Sequence, residues 1–254
     1  MYNISTKISV YDFSTYTSEL IEIRNNIKML PKKEITRFKD KYDSLFGNLK
    51  RNYYKSPFMT RIIHDINDVL LRCDIVCFHN TRVTNLKNIV YNGLTYPNKY
   101  YCERVEKDMV NVSVPVNIVK KVIYEISKLI RIWEDEPIKK NKQVCFYLSE
   151  QFENDFSDFY NCFGGELMRQ ILECMDLDSD IKDKIKNIGK PVIVKFYYPF
   201  SKFEEYKRED IIIGMLAYWI EIDFYSNYSK PFCTDGRLLY EIPSQNIIDI
   251  KEVN

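Results

Sequence analysis

Between Ile75 and Leu94 the chain fits a strand, a turn, a short helix and a helix stop into twenty residues, which leaves little slack in how that segment folds. Ile75, Val76, Cys77 and Phe78 form an apolar run, and period-two geometry then puts His79 and Thr81 on one face of the strand that carries them. Two hydrogen-bonding side chains are thereby brought to one spot. Leu86, Ile89 and Val90 follow at three- and four-residue spacing, the signature of one short helix, and Asn92-Gly93 supplies the left-handed residue that ends it.

The rest of the chain divides by period. From about residue 16 to residue 71 the pattern is helical: Leu20, Ile23, Ile27 and Leu30, then Phe38, Tyr42 and Leu45, then Ile62, Ile66, Val69 and Leu70. No Gly-, Ser- or Pro-rich stretch separates this region from the strand after it, so it packs on its neighbour rather than hanging from a linker. A second long helix is expected over Val116 to Trp133, and Thr95 to Ser113, without periodicity, reads as a long loop. Strands dominate later. Val144 to Ser149 alternates, with Cys145, Tyr147 and Ser149 on one face, and Val192 to Tyr198 is dense in β-branched and aromatic residues before Pro199. Arg237 to Ile242 and Asn246 to Ile250 read as two short strands, whereas Ile211 to Tyr225 fits helix or strand.

Several function classes drop out. Lys plus Arg is 37 and Asp plus Glu 36, a net charge of +1, so no overall field draws the protein to nucleic acid or an anionic membrane. The N-terminus lacks the apolar core of a signal peptide and no run approaches a membrane span, which makes a cytoplasmic protein the expectation. Seven cysteines form no Cys-x-x-Cys pair, implying neither a disulfide framework nor a metal centre, and His64 sits beside a helical stripe as a surface or boundary residue. Phosphate-loop, dinucleotide-fingerprint, zincin and nucleophile-elbow motifs are all missing from the sequence.

In a chain with only seven glycines, Gly164-Gly165 stands out, because adjacent glycines mark unusual dihedrals or a close backbone approach. Glu166 follows at the start of a helix carrying Leu167, Met168, Ile171, Leu172 and Met175, where a carboxylate also simply favours the positive end of the dipole.

The order of His79-x-Thr81, Asn85-Leu86 with Ile89, Gly93-Leu94, Phe146-Tyr147-Leu148-Ser149 and the late Leu239-Tyr240-Glu241-Ile242-Pro243 resembles the ADP-ribosyltransferase-like superfamily, especially its His-Tyr-Glu branch. The resemblance covers roughly Asp74 to Asn254. It implies an α+β protein: a helical N-terminal region over residues 1–73, then, over 74–254, a split β-sandwich whose cleft holds NAD as a substrate. His79 and Thr81 would position the cofactor, Tyr147 would stack on nicotinamide, and Ser149 shares the face of Tyr147. One acid must face the cleft to stabilise the oxocarbenium-like sugar left by departing nicotinamide. Chain order favours Glu241 in the late strand over Glu166, with Asp235 third. The expected activity is NAD-dependent ADP-ribosyl transfer to a nucleic-acid or protein target, or plain NAD cleavage, as in bacterial toxins and phage-defence effectors. A catalytically silent nucleotide- or partner-binding module of an abortive-infection system is the alternative, and a globular protein whose motifs are all structural is the third.

Overall fold

A computed structural model describes residues 5–43, 56–97, 99–135, 142–150, 162–225 and 235–253. Along the chain run β1 (Thr6–Ile8), α1 (Ser18–Lys28), α2 (Lys32–Asp43), α3 (Pro57–Leu70), β2 (Cys73–Val83), α4 (Lys87–Asn92), α5 (Lys99–Asn111) and α6 (Val116–Asp135). Then come β3 (Val144–Tyr147), α7 (Gly165–Cys174), α8 (Ser179–Lys186), β4 (Lys190–Pro199), α9 (Glu205–Tyr225), β5 (Asp235–Leu238) and β6 (Ile247–Glu252). The α+β class holds. The described strands join one six-stranded sheet in the order β5-β3-β2-β4-β6, with β1 paired in parallel to β2.

The chain divides into two compact units, Met1–Cys77 with Tyr197–Thr234, and Phe78–Phe196 with Asp235–Asn254. In the first, α1, α2 and α3 are completed by α9, which arrives from far along the sequence and packs on all three. Apolar residues on every side of α9 blur its period, which is why the sequence alone left it between helix and strand. Burial settles it: Ile211, Ile212, Met215, Leu216, Trp219 and Ile220 recur at four-residue spacing in the core. Near its end Asp223 takes both Nε and an Nη of Arg24, at 2.9 and 2.7 Å, a paired geometry that fixes direction as well as contact.

The second unit holds the remaining helices around a core that includes Val105 and Met109 of α5, Val122 and Ile126 of α6, and Leu167, Met168 and Ile171 of α7. Two expectations are corrected. The segment read as a loop from Thr95 to Ser113 is mostly helix α5, whose buried stripe of Val105 and Met109 is too thin, among five charged neighbours, to register as a period. The expected strand from Arg237 to Ile242 ends at Leu238. Ile242 instead exchanges both backbone hydrogen bonds with Leu94, at 2.9 and 3.0 Å, just after Gly93 caps α4. That capping glycine has φ +74° and ψ −155°, and a Cβ on it would lie 1.9 Å from the Ile242 carbonyl oxygen. Only glycine lets the two backbones pass so closely.

Candidate functional site

A cavity of about 240 Å³ lies within the second unit. β2 contributes its last residues, because the strand continues past the apolar run to Val83 and so carries His79 and Thr81 on a regular backbone. Antiparallel pairing of Phe78 with Tyr147 brings β3 alongside, and Tyr147, only 6% exposed, joins the lining. The Nδ1 of His79 lies 2.8 Å from the carbonyl oxygen of Cys145 on β3. A carbonyl can only accept, so Nδ1 carries the hydrogen and Nε2 keeps a lone pair in the neutral ring. Burial depresses the His79 pKa, and the bond to Cys145 only partly opposes it. The ring is therefore neutral at pH 7.

The Gly164-Gly165 turn and Glu166 at the start of α7 also line the cavity. Both glycines sit in the left-handed region, φ +78° and +61°, as a backbone bent around a cavity edge requires. They differ in surroundings. A Cβ on Gly164 would lie 2.6 Å from the Tyr101 hydroxyl and 2.9 Å from the Met168 Cβ, whereas one on Gly165 meets nothing within 4 Å. Gly165→Ala is thus expected to cost about 1–2 kcal/mol for the left-handed backbone alone, and Gly164→Ala at least twice that. Equal losses in chemical denaturation would show that the close packing of Tyr101 against the turn does not matter.

Of the other residues singled out in the sequence, Ser149 is buried two residues beyond the end of β3, which stops at Tyr147, and does not line the cavity. Glu241 is exposed beyond β5, and its Oε1 accepts the backbone N–H of Tyr96 at 3.1 Å, so it ties two loops together outside the cavity. Asp235 opens β5 opposite Tyr147, but its side chain lies outside the described residues. Of the acids whose side chains are described, Glu166 lines the cavity with His79, Thr81 and Tyr147, and Glu241 does not.

The lining also includes residues that sequence reasoning missed, chiefly Tyr101, Arg104 and Asp108 on α5. Their spacing, one helical turn apart, was the available signal. Arg82 lines the same cavity and donates to the carbonyls of Asn187, Ile188 and Gly189, at 3.2, 3.2 and 2.7 Å, fastening the turn before β4 to β2. Among the described residues no group of three or more His, Cys, Asp or Glu side chains is arranged to hold a metal ion, and no helix is long and apolar enough to cross a membrane. No family model, curated protein or solved structure matches the chain significantly.

The arrangement offers a neutral imidazole, threonine hydroxyls, two tyrosines, two carboxylates and the guanidinium groups of Arg82, Arg104 and Arg237 around a space lined by both polar and apolar side chains. Such a site can orient a sugar or amide through hydrogen bonds and stabilise positive charge developing on it.

Proposed function

We propose that the second unit binds NAD in this cavity and breaks the bond between nicotinamide and ribose, passing ADP-ribose to a nucleic-acid or protein acceptor or to water. What supports the reading is that His79, Thr81 and Tyr147, which the family resemblance assigns to the cofactor, line one cavity together with Glu166. At about 240 Å³ the space is below the roughly 300–1,000 Å³ of sites that enclose a drug-sized ligand, so it holds the nicotinamide and its ribose and leaves the rest of the dinucleotide outside.

In the proposed reaction the C1′–N bond breaks with its electron pair leaving on nicotinamide, which departs neutral because its ring nitrogen was cationic. The sugar carbon gains positive character, and the Glu166 carboxylate stabilises it or holds a ribose hydroxyl. The acceptor oxygen or nitrogen then bonds to C1′ and loses its proton. His79, neutral, offers Nε2 to a ribose hydroxyl while its Nδ1–H holds the ring against β3. The ADP-ribosyltransferase-like fold and the conflict-effector role belong to this same proposal.

One observation favours the silent-module alternative: the late-strand acid Glu241, which chain order put first, is engaged by Tyr96 outside the cavity. Incubation with NAD separates the readings. Release of free nicotinamide is expected for the enzyme, calorimetric NAD binding without release replaces it with the module, and the absence of both release and binding defeats the NAD reading altogether.

A further inference from the structure

Asp108 is 7% exposed, yet three features of its position work against a carboxylate there. It is buried among the α5 core residues. It stands in the last turn of α5, where the negative end of the helix dipole repels an anion. Among the described residues, Thr84 is the one hydrogen-bond donor that reaches its side chain, Oγ1 to Oδ2 at 3.0 Å, although a carboxylate can accept about four. Burial accordingly raises its pKa, against the smaller opposing pull of Thr84, Arg104 and Lys107. An acidic side chain here costs the fold stability, and the contact with Thr84 only partly offsets that cost. Asp108 and Thr84 both line the cavity, and Thr84 occupies one oxygen of the carboxylate and leaves the other for a guest.

We propose that the Asp108–Thr84 pair is a recognition element of the cavity, in which Thr84 holds the carboxylate and Asp108 accepts a hydrogen bond from a neutral ligand group, which in NAD is the amide N–H of nicotinamide. The inference takes its probes from the NAD reading. A buried carboxylate rejects an anion placed against it, by the same logic that lets an acid choose a free ribose hydroxyl over a phosphorylated one. Asp108 therefore sets specificity: it favours NAD over nicotinic acid adenine dinucleotide, which carries a carboxylate where NAD has its amide, whereas the 2′-phosphate of NADP belongs to the adenosine ribose outside the cavity and escapes this contact.

The test compares wild-type protein and Asp108→Asn by calorimetric titration with NAD, NADP and nicotinic acid adenine dinucleotide, and by thermal unfolding at pH 7. The wild type is expected to bind NAD at least tenfold more tightly than nicotinic acid adenine dinucleotide, and to bind NADP about as tightly as NAD. Asp108→Asn keeps an acceptor for Thr84 but turns an N–H toward the ligand, so it should weaken NAD at least tenfold and bind nicotinic acid adenine dinucleotide no worse than before. Without ligand, the same variant should raise the unfolding midpoint by about 2 °C or more, since it removes a buried charge from the end of a helix. NAD binding that changes less than twofold overturns the proposal while leaving the NAD reading intact. If the wild type binds none of the three, the NAD reading falls, and unfolding decides for Asp108: a raised midpoint keeps it as an acceptor for a different neutral guest, and an unchanged or lowered one makes it structural and ends the proposal.

Discussion

Replacing Gly93 with alanine is expected to destabilise the second unit by about 3–5 kcal/mol, a large part of the roughly 5–15 kcal/mol that holds a domain folded. Two terms add. The glycine adopts φ +74° and ψ −155°, a region open essentially to glycine alone, and forcing another residue there costs about 1–3 kcal/mol. The new methyl would also meet the Ile242 carbonyl oxygen at 1.9 Å and the backbone of Pro243 and Ser244 at 2.9 Å, and these are main-chain atoms that cannot rotate away. Relief requires parting Leu94 from Ile242, which breaks two backbone hydrogen bonds worth about 1 kcal/mol each. Urea denaturation measures the sum, and a loss under about 1 kcal/mol would mean that the crossing is looser than its geometry states.

The largest catalytic effect is expected at Glu166. If the cavity breaks NAD, Glu166→Gln should lower the rate of nicotinamide release by about 10²–10³-fold, the range seen when a preorganised electrostatic contact to a transition state is removed. Gln keeps the size and the hydrogen-bonding reach of the side chain but not its charge, so NAD binding should change far less than turnover. Glu241→Gln is the matched control, because its amide oxygen can still accept the Tyr96 N–H and its position is outside the cavity. Loss of release in the Glu241 variant with none in the Glu166 variant would transfer the chemistry to the late strand and refute the role given to Glu166.

The two acids also show where sequence reasoning reaches and where it stops. The run from Ile75 to Gly93 was legible because its grammar is local: alternation made β2, spacing of Leu86, Ile89 and Val90 made α4, and a glycine ended it in the left-handed half of φ space. Gly164-Gly165 was legible for the same reason. The placement of Glu241 was not, since it depends on Leu94 meeting Ile242 and on Tyr96 meeting Glu241 across 145 residues, and no periodicity records such a pairing. Chain order put Glu241 first. Local environment, a carboxylate after two glycines at a helix start, pointed to Glu166. The α5 wall was lost because Glu103, Arg104, Glu106, Lys107 and Asp108 crowd one short helix with charge, and the charged residues that hid the helix include two that line the cavity.

The path of the chain through its two units carries a practical corollary for anyone dissecting the protein. The second unit is not a continuous stretch: the chain leaves it within β4, at Tyr197, and returns only at β5. A fragment beginning near residue 74 would therefore retain α9 while discarding α1, α2 and α3, the helices against which its Ile211, Met215 and Trp219 are buried. The cavity-bearing half cannot be isolated by a single terminal cut. Isolating it takes an internal excision between β4 and β5, with a bridge long enough to pass β2 and β3, which stand between those strands in the sheet, so the helical region is best regarded as the other half of a chain woven through both, rather than as a detachable leader.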